Sequence, residues 1–161
     1  IGWLLFGGPG DYIRLNDGEA LQRTLNPACS ESVEGVRLGM RTRAVRERLG
    51  AGQELSRENI CRAGDDTFAY GWYYPGKGLI VLHKDGIVTG LVLLPGSKLY
   101  FDRSGLGAND GRAAYARAYK MSEIPEERTY NNPLTFYEIA PGEFFSFGKN
   151  GSYVRFSAVA Y

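Results

Sequence analysis

The sequence predicts an α+β chain in which two helix-plus-antiparallel-meander repeats stand in tandem and form a curved sheet with the helices on one face. Three observations predict it. The composition is that of strands and turns, with 22 Gly and 13% aromatic residues, 11 of them Tyr, types that favour pleated surfaces and tight turns over a helical bundle. Residues 35–50 encode one short, capped, amphipathic helix. A fainter copy of that stretch returns in the second half with a similar tail behind it. At 161 residues and 43% hydrophobic content, the chain can bury a core as one domain or two small ones.

The helical unit is the clearest element. Thr42 is placed to act as N-cap and Gly50 as a left-handed C-cap. Between them Val45 and Leu49, four residues apart, share one face, while Arg46, Glu47 and Arg48 turn outward. Leu38 and Met40 precede the cap and fold back onto the same apolar side, so the unit is built to lie on a sheet. Upstream, residues 1–30 form an N-terminal extension. Its apolar start, residues 1–8, is far short of the roughly 20 residues that span a bilayer, and is either the end of a longer anchor or an edge strand packed on the body. Residues 17–25 follow as a short helix capped by Asp17 and stopped at Asn26-Pro27.

The first repeat covers residues 31–96. After the helix, residues 51–66 are polar and irregular, residues 67–74 form a Tyr- and Trp-rich strand, and Pro75-Gly76-Lys77-Gly78 turns it. Residues 79–83 and 87–94 are two further strands joined at Lys84-Asp85-Gly86, a hairpin signal. The second repeat covers residues 97–161. Residues 97–102 are extended, and a helix runs from about residue 112 to residue 120 with Ala113, Ala114, Ala118 and Tyr119. Leu106-Gly107 answers Leu38-Gly39, Pro141-Gly142 answers Pro75-Gly76, and residues 144–147 answer 79–82. Lys149-Asn150-Gly151 answers Lys84-Asp85-Gly86, and residues 153–159 answer 88–94, with one single-residue gap in the first turn. An ordered series of this kind is the mark of internal duplication.

Gly35-Val36-Arg37-Leu38-Gly39-Met40, followed by Val45, Leu49-Gly50 and strands joined at an Asp-Gly turn, resembles the repeat of the β-lactamase-inhibitor-protein (BLIP)-like superfamily, which also contains the SmpA/OmlA outer-membrane assembly lipoproteins. The second repeat keeps Leu106-Gly107 but has Ala108 in place of Met and Lys120 in place of the closing Gly. The resemblance implies a helical layer on one face of an antiparallel sheet and a function in gripping another protein. Lactamase inhibition itself is not implied, because members share the scaffold more than the partner.

Strand alternation then suggests a working face. Aligning Trp72 with Glu138 and His83 with Gly148 marks these positions as outward, which puts Tyr70, Trp72, Tyr74, Val81, His83, Phe136, Phe144, Tyr153 and Arg155 on the uncovered side. Ile80, Leu82, Leu91, Leu93, Phe145, Phe147, Val154 and Phe156 are then expected against the helices. Tyr70, Trp72, Tyr74, His83, Phe136, Phe144, Tyr153 and Arg155 are the partner-binding candidates, since Tyr, Trp and Arg are enriched at interface hot spots. The alternative is ordinary strand packing beneath the N-terminal extension.

Other functions find less support. Lys plus Arg total 19 against 18 acidic residues, a formal net charge of +1, which gives no field for nucleic acid or an anionic membrane. His83 is the sole histidine, and no Ser, Cys or Lys stands in a nucleophile motif. Asp65-Asp66 and Glu126-Glu127 read as solvated loop charge, and Gly105-Leu106-Gly107 lacks the further glycine and the strand context of a dinucleotide loop. No enzyme activity, metal or cofactor is expected. Cys29 and Cys61 flank the helical unit, and a bridge between them would stabilise by about 3–4 kcal/mol and place the chain in an oxidising compartment. Two separate buried thiols are the alternative. The expectation is a non-catalytic extracytoplasmic protein-binding or assembly module, periplasmic or secreted, with a partner protein in the cell envelope and an anchor preceding residue 1 as a further option. The rivals are an enzyme inhibitor acting through the Asp85-Gly86 and Asn150-Gly151 turns, and a small-ligand or lipid carrier.

Overall fold

The computed structural model describes residues 31–64, 66–123, 136–140 and 142–158. The expected apolar start, the helix at 17–25, Cys29, Asp65 and Glu126-Glu127 lie outside these residues. Within them the chain is α+β, mostly antiparallel sheet with two helices.

A tight hairpin comes first: β1 (Ser32–Val33) and β2 (Val36–Arg37) turn through Glu34 and Gly35, both at positive φ. The chain then hydrogen-bonds to the far end of a later hairpin, Gly39 N–H to Val88 O at 2.9 Å and Val88 N–H to Met40 O at 2.8 Å. Helix α1 (Thr42–Leu49) follows. Arg41, extended, takes the cap position expected of Thr42, and no side chain caps the helix. Thr42 N–H donates instead to Gly86 O at 2.9 Å, so the helix start is held by the sheet. The other end is as expected: Gly50 has φ 80° and its N–H closes on Arg46 O at 2.8 Å. Ala44 and Val45 are buried, and Arg46, Glu47 and Arg48 are exposed.

Residues 51–64 are irregular only in part. They hold β3 (Gln53–Leu55) and β4 (Cys61–Ala63), the latter paired with β5 (Asp66–Phe68) in a separate two-stranded hairpin. The single strand expected at 67–74 is therefore two, broken at Ala69-Tyr70 before β6 (Gly71–Tyr74). Gly71 makes the break possible: at φ 133° its backbone presses so close to the neighbouring strand that an added Cβ would lie 2.7 Å from Val81 O. Then come β7 (Leu79–Lys84) and β8 (Ile87–Leu93), joined by Asp85 (φ 55°) and Gly86 (φ 77°). Two successive residues at positive φ are the backbone a two-residue hairpin needs.

After the connection at 94–110 comes α2 (Gly111–Ala118), then β9 (Ser122–Glu123), β10 (Phe136–Ala140), β11 (Glu143–Phe147) and β12 (Val154–Ser157). A 3-10 turn, Lys149–Gly151, lies between the last two.

Eight strands form one sheet in the order β3-β6-β7-β8-β12-β11-β10-β9. From one edge the order runs β3, β6, β7, β8 and from the other β9, β10, β11, β12, and the two runs meet at the β8–β12 seam. One row of partners crosses the whole sheet: Glu54, Trp72, Val81, Leu91, Phe156, Phe145, Tyr137 and Glu123. Both helices cover the face on which Trp72, Val81, Leu91, Phe156 and Phe145 lie, and this core joins Met40, Ala44 and Val45 to Tyr115 of α2 and Phe101 of the connection. Phe101 meets the rings of Tyr115, Phe145 and Phe156 edge-on, at centroid distances of 6.1, 5.2 and 6.0 Å, a geometry that adds attraction beyond area burial. The opposite face of the first half is covered in part by the β4–β5 hairpin, which packs Ala63 and Phe68 on Ile80, Val92 and Tyr153.

Two bulges set the faces. The β7–β8 register shifts after Leu82, leaving Thr89 unmatched, and the β10–β11 register shifts between Glu138 and Ala140, leaving Ile139 unmatched. Each extra residue reverses the alternation on its strand. The expected faces are therefore corrected in the first half. Trp72, Tyr74 and Val81 lie in the core under the helices, and Ile80 and Leu82 belong to the opposite cluster. Leu91, Leu93, Phe145, Phe147, Val154 and Phe156 lie on the helix side as expected. The cause is the alignment of Trp72 with Glu138: the row across the sheet sets Trp72 opposite in rank to Tyr137, one residue earlier.

Candidate functional site

The expected partner-binding residues do not form one surface. Tyr70 is 57% exposed and accepts a hydrogen bond from Arg57 Nε at 2.8 Å, on the loop between β5 and β6. Trp72 and Tyr74 are buried, the Tyr74 hydroxyl donating to Gly50 O at 3.0 Å and so tying β6 to the end of α1. His83, half-buried, lies 4.9 Å from the Trp72 ring, with its Nε2 atom buried and without a hydrogen-bond partner among the described residues. Burial pushes its pKa down, opposed by the Glu54 carboxylate on the edge strand β3, two strands away. Phe136, Phe144 and Tyr153 are buried, and Tyr153 stands edge-on to Phe68 at 4.9 Å with its phenol pushed up to about 12, mainly by burial. Arg155 is half-buried beside it and burial lowers its pKa. The structure thus brings Trp72 and His83 together on the helix side and leaves Tyr153 and Arg155 on the other.

Cys61 has a free thiol, and Cys29, the other half of the expected bridge, lies outside the described residues. Burial raises the thiol's pKa, the opposite of what an activated nucleophile requires. Cys61 lines an open groove of about 600 Å³ with Arg62, Lys77 and Lys98. Among the described residues no group of three or more His, Cys, Asp or Glu is placed to hold a metal ion, and no helix is long and apolar enough to cross a membrane.

The feature that sequence reasoning missed lies at the corner where α2 meets the β11–β12 connection. A cleft of about 490 Å³ opens there, its walls made by Tyr137, Phe147 and Val154 and its rim by Arg112 and Lys149. Arg112 is the second residue of α2. Its Nη1 donates to the Tyr137 hydroxyl at 3.0 Å, and its guanidinium carbon sits 5.8 Å from the centre of the same ring. Tyr137 packs at 6.0 Å against Phe147, which in turn meets the buried Tyr115 at 5.2 Å. The aromatic that Arg112 covers is thus fixed from below by the core.

The first half holds a counterpart. Arg46 of α1 lies 5.2 Å from the Trp72 ring, and Trp72 occupies the place in the row that Tyr137 occupies from the other edge. The signal was present in the sequence. A shift of one residue would have aligned Trp72 with Tyr137 instead of Glu138, and each aromatic would then have had a helical arginine above it. Comparison of the chain with family models, with curated proteins and with solved structures finds no match.

Proposed function

We propose that this chain is a duplicated helix-plus-meander protein of the BLIP-like and SmpA/OmlA kind, acting as a non-catalytic, extracytoplasmic protein-binding or assembly module. The duplication is supported by the palindromic strand order and by the partner row, in which Glu54 and Glu123, Trp72 and Tyr137, Val81 and Phe145, and Leu91 and Phe156 stand at equal ranks from the two edges. The seam agrees: Leu91 pairs with Phe156, and Val154 with Leu93 on one side of that pair answers the 3.0 Å bond from Ala158 N–H to Thr89 O on the other.

One observation carries the binding reading. The cleft beside α2 is open to solvent and is fronted by an arginine already stacked and hydrogen-bonded on a tyrosine. Tyr and Arg held in this way present contact area at little further entropy cost, which is what interface anchors require. The binding surface proposed is therefore this cleft rather than a broad aromatic sheet face, because most aromatics of that face are buried.

The test is site-specific photo-crosslinking in the native cell envelope, with a benzophenone side chain at position 149 and a control probe at Glu47 on the exposed side of α1. A discrete protein adduct from position 149 alone, lost in the Arg112→Ala background, is the expected result. No adduct, or the same adducts from both positions, would refute the reading.

A further inference from the structure

We infer that the partner segment entering this cleft is acidic, a peptide whose carboxylate meets Arg112 and Lys149 while an adjacent apolar side chain lies on Phe147 and Val154. This rests on the protein-binding reading and specifies its chemistry. The first argument is charge. Arg112 makes its contacts with Tyr137, and among the described side chains neither Arg112 nor Lys149 has a carboxylate within ion-pair distance. Two cations therefore rim one opening, and no carboxylate among the described side chains lies within ion-pair distance of either.

The second argument is geometry. A guanidinium carries five N–H donors in a planar fork, and here the tyrosine takes one at Nη1. The remaining donors keep a fixed plane because the group is both bonded to the hydroxyl and laid over the ring. A fork held flat in this way matches the two oxygens of a carboxylate, and most of its ordering entropy is already spent. The third argument is the wall: Val154 is buried and Phe147 half-buried, so the cleft offers apolar contact directly behind the charged rim. A free inorganic anion would leave that wall unused. Nucleic acid would need a wider cationic surface than two side chains on a chain of net charge +1.

The experiment uses the whole chain and a fluorescein-labelled peptide of alternating Leu and Glu, with the Leu and Gln version as its control, read by anisotropy. The Glu peptide should bind at least about tenfold more tightly than the Gln peptide, as a bidentate charge-assisted pair implies. Arg112→Gln should weaken it about tenfold or more and Lys149→Gln severalfold, whereas Lys84→Gln, the same charge change at an exposed site on β7, should leave it within about twofold. Circular dichroism of each variant confirms that the fold is kept. Equal affinity for the two peptides, or equal effects of Arg112→Gln and Lys84→Gln, overturns the inference. So does tighter binding of a short DNA oligonucleotide. If neither peptide binds but the position-149 adduct persists, the acidic-segment inference fails and the protein-binding reading stands. If both are absent, both fail.

Discussion

Glu31 is the residue whose replacement tests the architecture most sharply. It is a carboxylate only 1% exposed, yet it is fully engaged: Oε1 accepts the Arg103 N–H at 2.9 Å, and Oε2 accepts the Ser104 N–H at 3.1 Å and the Tyr119 hydroxyl. It thereby fastens the residue ahead of β1 to the connection that leads into α2 and to the residue just past that helix. The neighbouring Ser32 Oγ to Asp102 Oδ2 bond, 2.6 Å, adds a second fastening. In Glu31→Gln one oxygen becomes an amide nitrogen that can only donate. With the remaining oxygen placed toward Ser104 and Tyr119, the Arg103 N–H loses its acceptor and faces another donor. That removes one hydrogen bond to a charged group, about 1.5–3 kcal/mol, and weakens two others by roughly 0.5–1 kcal/mol each. Relief of the buried charge returns roughly 1–2 kcal/mol, so the expected net loss is about 2–3 kcal/mol, read as a fall in Tm of about 5–10 °C for a chain of this length. Tyr119→Phe removes the hydroxyl's bond to Glu31 together with its bond to the Ser104 side chain and should cost about 1–2 kcal/mol. Urea denaturation followed by far-UV circular dichroism gives both values, and the double variant gives their coupling. Strict additivity, or Glu31→Gln within about 0.5 kcal/mol of the parent, would show that the latch does not hold the two halves together.

Three further outcomes are expected. Gly71→Ala should destabilise by about 3 kcal/mol or more, since φ 133° strains any side chain and the new Cβ would meet Val81 O at 2.7 Å, a backbone atom that cannot step aside; a thermal melt unchanged within 2 °C would refute the assigned backbone. Burial of His83 lowers its pKa in the folded state, so the unfolded chain takes up the proton first and stability should fall as pH drops from about 6.5. Above that pH both states are neutral and the residue makes no difference, so His83→Phe should flatten the decline between pH 7 and 5, and a parallel pH profile for the variant would contradict the shift. Trp72→Ala, on the helix-side core rather than an open face, should cost about 3–5 kcal/mol in denaturant, and a cost below about 1 kcal/mol would return Trp72 to the surface.

What was legible in the sequence was local. Gly50 could be recognised as a helix terminus because only a residue tolerant of φ 80° ends a helix there cheaply, and Asp85-Gly86 as a hairpin because both residues accept positive φ. Val45 showed its burial by spacing alone. Three-residue strands such as β3 and β4 were not legible, since Gln53 and Glu54 are poor strand formers held in place by pairing with Tyr73 and Trp72. Nor was Tyr115, whose hydroxyl reaches Gly107 O at 2.9 Å and whose ring anchors α2, because a helix rich in alanine concealed its one large apolar contact.

The faces failed for a more general reason, and the failure bears on the site. Side-chain direction in a strand has period two, so a single unmatched residue reverses everything beyond it. Thr89 and Ile139 are such residues, one in each half, and nothing in their chemistry announces a bulge. Matching the Pro-Gly turns pulled Trp72 onto Glu138, and this moved the first half's aromatics to the wrong side of the sheet. The partner row offers a different rule for finding the proposed binding corner. A position that must pack under a helix in both halves tolerates only large apolar or aromatic residues, and Trp72 and Tyr137 satisfy this together while Glu138 does not. Once they are equated, the halves can be told apart. Trp72 is buried, carrying Arg46 above it and His83 beside it, whereas Tyr137 remains half-open beneath Arg112 at the mouth of a cleft. In one half the arginine–aromatic pair has its aromatic in the core and in the other the pair stands at the surface, and the open pair is the recognition site we propose.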